Sequence, residues 1–390
     1  MTVTKSADAL VRMDVVTLPS QIAHSWLQRE QLATSMSRFR RHAKSRSSWR
    51  GQHERVILRL HTRDGRVGIG ATRGSAAATV LTDHLAHLLQ GRSADDHETL
   101  YEELVGSQLT YGPSGIGAAA VSAIDLALWD LRAQGAECSL ARLLSPETTP
   151  GTSLPCYTTI HPEGTDPVSA FGGVKLAARF GPYDGPEGLD HQVEDIRRVQ
   201  ARVDTGTLVM IDAACGWDLD FTLSLLDRLG DQTVDWLEDP LLPSERDSYA
   251  HLAERLDGSP TAICLGNYDF SELDGLRTIT DGHVDVYQPD VTWVGGLTAA
   301  RRLWERASSA GMAVAPHYGA MHPWTVHLMA AMDDTALAEY IPGALVDGDR
   351  GDFPALPLPE AGAQPVPAEQ GASARVSESF LSEGVVSLAL

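Results

Sequence analysis

Polar residues recur at the ends of short apolar segments in the second half of the chain. A strand-like run, such as Leu-Val-Met-Ile or Ala-Val-Ala-Pro, precedes each of five such residues: Asp212, Glu238, Asn267, Asp290 and His317. Such runs with helical patterns between them predict parallel βα units, whose strand C-termini lie on one face of the fold. Polar groups at that face of a barrel are typical of catalysis. The pattern therefore predicts one active site shared by several strands.

Two carboxylates in this set have the arrangement of metal ligands. Asp212 and Glu238 end neighbouring predicted strands, so their charges repel unless a cation lies between them. Oxygen ligands of this kind favour Mg²⁺, with Mn²⁺ as the alternative. Asn267 is the third candidate ligand, competing with Asp269 and with a simple turn role after the preceding glycine. A single Asp at a strand end more often caps a helix, but the pair favours a metal site.

Four residues at other predicted strand ends are candidate catalytic groups. Asp290 beside His317 would fix the tautomer of the imidazole, which suits a general base that later returns the proton. A single histidine is more often structural, but this neighbour favours catalysis. Lys175 would act as a base if its pKa were lowered, hold a substrate oxygen if charged, or form a structural salt bridge. Glu339 would hydrogen-bond an oxyanion if protonated and otherwise hold a substrate hydroxyl.

Cationic and aromatic residues are candidates for substrate contacts. Residues 24–50 are rich in arginine in an otherwise acidic chain, and His24 and Arg46 are expected to contact an acidic substrate as part of a flap. The alternative is a solvated charged loop, which is the usual role of such runs. Trp293 stands near a predicted strand end, where it would contact substrate or belong to the aromatic wall or core.

Eight strands are needed to position these residues in a closed barrel. They are predicted at 156–159, 173–176, 208–212, 234–238, 262–266, 284–288, 313–316 and 336–340. Upstream, segments 55–61 and 67–71 flank Asp64-Gly65 and predict a β-hairpin. Helical periodicity follows at 79–89, 98–104 and 114–132. The sequence therefore predicts an α+β module ahead of an α/β barrel.

The predicted division of the chain has three parts. Residues 1–150 form an α+β capping domain, 151–345 the catalytic barrel, and 346–390 a segment that packs back on the capping domain. Pro146, Pro150 and nearby residues mark the linker between the first two parts. The polar first ten residues are expected to be a loose terminus.

Composition limits the class of protein. The 390 residues are 43% hydrophobic and carry a net charge of −21, which disfavours binding to nucleic acid or anionic membranes. The chain has no apolar run near the length of a membrane span and starts without the apolar stretch of a signal peptide, so a soluble, cytoplasmic protein is expected. Its four cysteines lack the spacing of a zinc site or a disulfide framework. We also expect a homo-oligomer.

Several motifs occur together in one order. They are Ala123-Ile-Asp-Leu-Ala-Leu-Trp-Asp130, Asp212, Glu238-Asp-Pro240, Gln288-Pro-Asp-Val291 and Pro316-His317. In this order they resemble the mandelate racemase subgroup of the enolase superfamily, over roughly residues 40 to 345. Within that subgroup the chain is most similar to L-rhamnonate dehydratases. The segments that carry this likeness are Ala33 to Arg40, Lys44 to Trp49, Lys175 with Phe180-Gly-Pro182, and Asp290-Val-Thr-Trp293.

The resemblance implies a modified (β/α)₇β TIM barrel with an N-terminal α+β capping domain, a required Mg²⁺, and removal of the proton α to a carboxylate. It assigns roles to residues already singled out: metal binding by Asp212 and Glu238, a dyad of Asp290 and His317, substrate contact by Arg46, and a place beside the enolate for Glu339. The family's third ligand is a glutamate where this chain has Asn267. We therefore predict a lyase that dehydrates an acid sugar. A racemase, epimerase or cycloisomerase acting through an enolate, and a non-catalytic binding descendant of the fold, are the alternatives.

Overall fold

The computed structural model describes residues 6–18, 32–43, 54–164, 168–342, 353–376 and 385–390. Their strands form two sheets, one antiparallel and one mainly parallel. A large cluster of buried apolar side chains runs through both parts of the molecule. Among the described residues, no helix combines the length and hydropathy needed to cross a membrane.

The antiparallel sheet has four strands. They are β1 (Leu10–Leu18), β2 (Arg55–Thr62), β3 (Val67–Arg73) and β13 (Val385–Ala389), in the order β13-β1-β2-β3. The predicted hairpin is confirmed, and Gly65 adopts a φ of +93° in its turn. Strand β1 was not predicted. The expectation of a loose terminus is wrong for the end of that segment, because Ala9 is buried and bridges to Ser93.

A series of helices follows the hairpin in the chain, and the longest of them packs against this sheet. They are Ser75–Val80, a π-helical turn at Leu81–Leu85, Ala86–Leu89, His97–Ser107, Ile116–Gly135 and Leu140–Leu144. The longest, Ile116–Gly135, is buried along almost its whole length. It approaches β3 so closely that a Cβ at Gly68 or Gly70 would overlap its backbone. Glycine at these two positions therefore allows the helix to lie directly on the sheet.

Eight parallel strands form the larger sheet. They are β4 (Ser153–Ile160), β5 (Gly173–Ala177), β6 (Leu208–Asp212), β7 (Trp236–Glu238), β8 (Ala262–Leu265), β9 (Val286–Tyr287), β10 (Ala313–Val314) and β11 (Ala338–Tyr340). All eight predicted strands are confirmed, although the last five are shorter than predicted. The pairing order is β10-β9-β8-β7-β6-β5-β4-β11, so the sheet curls until the last strand lies beside the first. No ladder joins β10 to β11 within the described residues.

A helix follows each strand from β5 to β10. These helices are Gly185–Gln200, Leu219–Leu229, Arg246–Leu256, Glu272–Asp281, Gly296–Ser309 and Pro323–Met332. This is the modified TIM-barrel architecture expected from the sequence. Because the strands are parallel and the ends of β5, β6 and β7 are in register, their terminal side chains meet at one mouth.

Two buried aspartates of the long helix fasten the parts together. Asp125 accepts hydrogen bonds from the backbone N–H of Thr298, at 2.9 Å, and from its hydroxyl, at 2.6 Å, at the start of a barrel helix. Asp130 accepts from Ile69 in β3 and from Ala372 in the C-terminal segment. That segment also supplies β13 to the antiparallel sheet and a short strand β12 (Ala363–Pro365) that pairs with β4.

Candidate active site

Carboxylates gather at the ends of β6 and β7. Asp212 lies in register with Glu238, and one oxygen of each lies within 4.8 Å of one oxygen of Asp239. The Asp212 carboxylate accepts a hydrogen bond from Ala214 N at 2.8 Å. Burial raises the pKa of all three carboxyl groups above the ordinary range, because charge is costly away from water. The group has the oxygen donors that a divalent cation requires.

Lys175 connects this carboxylate group to Glu339. Its Nζ lies 2.7 and 2.8 Å from the two carboxylate oxygens of Glu238 and 2.6 Å from Oε1 of Glu339. Burial alone lowers the pKa of Lys175, but the facing carboxylates outweigh it and raise the pKa well above its ordinary value. Of the alternatives drawn from the sequence, the geometry therefore favours a charged ammonium over a lowered pKa.

Glu339 is held from three sides. Besides Lys175, it accepts hydrogen bonds from Tyr318 N at 2.9 Å and from the Thr159 hydroxyl at 3.4 Å. Burial raises the pKa of Glu339, but Lys175, His317 and the hydrogen bond from Tyr318 N together outweigh burial, and the pKa falls below its ordinary value. An ionised Glu339 fits the alternative in which it holds a substrate hydroxyl.

His317 and Asp290 form the expected pair. Nδ1 of His317 lies 2.8 Å from Oδ2 of Asp290, whose other oxygen accepts from the Thr292 backbone at 2.7 Å and from its hydroxyl at 2.6 Å. Burial raises the pKa of Asp290, but the hydrogen bond from His317 and the interactions with His317, His322 and Arg73 together outweigh burial and hold the pKa well below the ordinary value. An ionised Asp290 assigns the imidazole proton to Nδ1, which leaves Nε2 as the acceptor of a general base.

Trp293 lies beside this pair, in contact with a cation that the sequence analysis did not single out. Its ring centroid is 5.5 Å from that of His317, and its indole N–H donates to the backbone oxygen of Asn267 at 2.7 Å. Arg73, at the end of β3, places its guanidinium 5.0 Å from the Trp293 centroid and 4.7 Å from that of Tyr318. The antiparallel module thus contributes a cation to the edge of the site.

The structure distinguishes the two candidates for the third metal ligand. Gly266 has a φ of +131°, and a Cβ there would overlap the Tyr287 ring, so glycine is needed for the turn that leads into Asn267. The Asn267 side-chain oxygen is buried and has no hydrogen-bond partner among the described residues. Asp269 accepts from the Thr278 hydroxyl at 3.0 Å through Oδ1, and its Oδ2 is also buried without a hydrogen-bond partner among the described residues, but Asp269 lies outside the carboxylate group. Asn267 is therefore the better candidate of the two.

The arginine-rich segment is described in part. His24 and Arg46 lie outside the described residues. Within residues 32–43, Arg38 donates two hydrogen bonds of 2.6 Å to the Glu245 carboxylate, just before a barrel helix. This part of the segment is therefore anchored on the barrel and is not a free solvated loop.

Comparison with known protein families shows which family the chain belongs to. A family model described as "Enolase C-terminal domain-like" matches residues 167–380, more than half of the chain. The protein belongs to the enolase superfamily. A second model, "Mandelate racemase / muconate lactonizing enzyme, N-terminal domain", matches residues 27–145 of this enolase superfamily member.

Several relatives of this enolase superfamily member carry informative names. A "Putative L-rhamnonate dehydratase" of Caldivirga maquilingensis is 31% identical over 315 residues, covering 80% of this chain and 77% of the relative. An "L-rhamnonate dehydratase" of Saccharopolyspora erythraea is 27% identical over 325 residues, covering 82% and 81%. A solved structure of rhamnonate dehydratase from Gibberella zeae complexed with Mg superimposes with a TM-score of 0.84 at 25% identity, covering 98% of this chain and 97% of that one.

Three residues at the site were missed as functional candidates in the sequence. Gln288 donates from Nε2 to Glu238 at 3.2 Å, and its place in the Gln-Pro-Asp motif was an available signal. Asp239 stands in the Glu-Asp-Pro motif, but strand alternation turns successive side chains to opposite faces, and its φ of +41° breaks that rule. Arg73 ends a strand of the other module, and no local pattern indicates what such a residue will contact.

Proposed function

We propose that this protein is a Mg²⁺-dependent acid-sugar dehydratase, with L-rhamnonate as the first substrate to test. The observation that carries the proposal is one barrel mouth with an acid–base dyad, His317 and Asp290, and a carboxylate group joined to Lys175. The dehydratase names of the relatives support the same reaction. The reaction removes the proton on C2 and the hydroxyl on C3, and water leaves.

The residues present fit a Mg²⁺ ion. Asp212, Glu238 and Asn267 would hold it, because they offer hard oxygen donors and the Asn267 oxygen is buried without another partner among the described residues. A bound Mg²⁺ would supply positive charge to the substrate carboxylate, which lowers the free energy of the negative charge that develops there during the reaction.

His317 is the proposed acid–base catalyst. Nε2 takes the C2 proton while Asp290 holds the imidazole through Nδ1 and stabilises the imidazolium that forms. The His317 imidazolium then donates this proton to the C3 hydroxyl. The C3–O bond breaks and water leaves. The resulting enol takes a solvent proton at C3 and releases its O–H proton to solvent, which gives a 2-keto-3-deoxy acid, so atoms and charges balance.

The other polar groups orient the substrate. Lys175, whose ammonium is held by Glu238 and Glu339, is the proposed cation for a substrate oxygen, and Glu339 is the proposed acceptor for a substrate hydroxyl. Arg46 and His24 are proposed to contact the substrate from the arginine-rich segment, and Trp293 to form a wall beside His317.

A racemase, epimerase or cycloisomerase would use the same enolate. Racemisation needs a base on each face of the substrate, and Lys175 is the candidate opposite His317. Its Nζ lies within 2.8 Å of three carboxylate oxygens, which favours the charged state over a neutral base. This geometry makes dehydration the better proposal. The homo-oligomeric state and the cytoplasmic location stay predictions from the sequence.

A substrate screen tests the proposal. The protein is incubated with a library of acid sugars, including L-rhamnonate, with Mg²⁺ or with EDTA, and 2-keto-3-deoxy products are measured. We expect product from at least one six-carbon acid sugar with Mg²⁺ and none with EDTA. Folded protein that dehydrates no member of the library would refute the proposal.

A further inference from the structure

Asp239 is a buried carboxylate without a side-chain hydrogen-bond partner among the described residues. It follows Glu238 at the barrel mouth and is 0% exposed. Its backbone is fixed, because its N–H donates to Cys264 O at 3.0 Å and its carbonyl accepts from Cys215 N at 2.8 Å. Both side-chain oxygens are buried, and neither has a hydrogen-bond partner among the described residues. Burying a carboxylate in this way is strongly unfavourable unless a positive charge joins it.

The carboxylates around Asp239 carry more negative charge than the Lys175 ammonium can neutralise. Lys175 Nζ lies 2.6 to 2.8 Å from oxygens of Glu238 and Glu339, and this ammonium is already shared between those two carboxylates. An oxygen of Asp239 lies within 4.8 Å of oxygens of both Asp212 and Glu238. A divalent cation placed among these oxygens would neutralise the negative charge that Lys175 does not.

The segment that follows β8 does not bring a third negative charge to the carboxylate group. Asn267 offers a neutral amide oxygen, and Asp269 is engaged by Thr278 on the outer helix. Neither therefore brings a negative charge to Asp212 and Glu238. Mg²⁺ sites gain affinity from charged oxygen ligands. The buried carboxylate of Asp239, next to Glu238, can supply the charge that Asn267 lacks.

We propose that Asp239 supplies the third negative charge of the metal site, with Asp212 and Glu238, while Asn267 contributes a neutral oxygen. The inference rests on the proposed function for the identity of the metal, but it concerns binding and not turnover. It adds Asp239 to the ligand set expected from the sequence.

Calorimetric titration of Mg²⁺ without substrate tests the inference. Asp239→Asn keeps the shape and removes the charge, and it is expected to weaken Mg²⁺ binding by about tenfold or more. Asp269→Asn is the matched control, because it makes the same change at a buried aspartate outside the carboxylate group. The control is expected to bind Mg²⁺ as the wild type does.

Thermal unfolding supplies a second readout that a merely structural carboxylate would not give. In EDTA, Asp239→Asn is expected to melt at or above the wild-type temperature, because the substitution breaks no side-chain hydrogen bond among the described residues. Added Mg²⁺ should raise the wild-type midpoint and raise that of the variant much less. A variant that is less stable in EDTA, or that does not fold, would overturn the inference.

The inference and the proposed function can fail separately. If Asp239→Asn binds Mg²⁺ like the wild type, or if the wild type binds none, the inference is wrong whatever the protein catalyses. If Asp239→Asn loses Mg²⁺ affinity while the wild type dehydrates no acid sugar, the inference stands and the proposed function is wrong.

Discussion

Two groups of buried aspartates in this protein differ in how completely their oxygens are used. In the long helix, Asp125 accepts two hydrogen bonds from Thr298, and Asp130 accepts from two backbone N–H groups of other segments. At the barrel mouth, both oxygens of Asp239 are buried without a hydrogen-bond partner among the described residues. The long helix therefore buries hydrogen-bonded carboxylates, whereas the barrel mouth buries one whose oxygens have no such partner among the described residues.

Under the proposed function, this difference separates carboxylates that join chain segments from carboxylates that would bind a cation. A buried carboxylate that holds two chain segments must be satisfied by the chain itself, since an unmet group there would lower stability. A carboxylate that awaits a cation and an anionic substrate must leave oxygens available. Satisfied pairs also occur at the mouth, where Asp290 holds His317, because an acid–base catalyst needs its orientation before substrate arrives.

The largest expected effect is on catalysis at the mouth. His317→Asn keeps the side-chain shape and its contact with Asp290, but it cannot transfer a proton. Turnover is expected to fall by about 10²–10⁴-fold, with the unfolding midpoint close to that of the wild type. Steady-state kinetics and thermal melting measure both quantities, and a variant with near-normal turnover would remove His317 from the mechanism.

The next effect is on stability at the long helix. Asp125→Ala removes the acceptor for both donors of Thr298, so buried polar groups lose their partners. We expect a loss of about 1–3 kcal/mol in the free energy of unfolding, measured by chemical denaturation. Asp239→Asn in EDTA is the contrasting variant and should lose no stability. Similar losses in both variants would erase the distinction between the two groups.

A smaller effect is expected where the arginine-rich segment is anchored. Arg38→Gln breaks the paired hydrogen bonds to Glu245, which hold residues 32–43 on the barrel. A partly exposed ion pair is worth about 1 kcal/mol or less, so KM should rise by roughly fivefold or less while kcat changes little. Arg255→Gln, at an exposed pair with Asp227 far along a barrel helix, is the control. Equal KM values for both variants and the wild type would contradict a role of the anchor in substrate binding.

An effect confined to acid pH concerns the stability of the module that carries the long helix. Burial lowers the pKa of His97 to about 4, and its ring lies 4.6 Å from that of Trp129. The unfolded chain binds the proton near its ordinary pKa of about 6.5. Stability from this residue is therefore complete above that pH and falls as the pH drops from about 6.5 to about 4.

His97→Phe keeps the aromatic contact and removes the titration. Its melting temperature should fall less steeply with decreasing pH than that of the wild type, although the slope will not vanish because burial also lowers the pKa of His322 and His327 to about 4. His87→Phe, at an exposed site, is the control. Parallel curves for His97→Phe and the wild type would show that His97 does not set this dependence.

Much of the fold could be predicted because its elements carry local signals. Short apolar runs located all eight barrel strands, and Asp64-Gly65 located the hairpin. Strand β1 was missed because its partners, β2 and β13, lie far away in the chain, and a strand is stabilised by pairing that its own sequence does not display. The shortening of the later barrel strands also depends on their neighbours.

The site divides in the same way. Asp212, Glu238 and His317 were predictable because each ends a recognisable strand, and parallel strands end together. The position of the Asp239 side chain was not predictable, because it depends on a backbone φ of +41° that no residue pattern indicates. The choice between Asn267 and Asp269 depended on Thr278, and Arg73 depended on how the two modules meet. Long-range packing set each of these features.

Proton NMR in D₂O tests the proposed dehydration most directly. L-rhamnonate, and then the other acid sugars of the screen, are incubated with the protein and Mg²⁺. The proposal predicts loss of the C2 proton signal together with formation of a 2-keto-3-deoxy acid that carries solvent deuterium at C3, both prevented by EDTA. Retention of the C2 proton in every acid sugar would contradict the proposal, and exchange at C2 without loss of water would identify a racemase or epimerase instead.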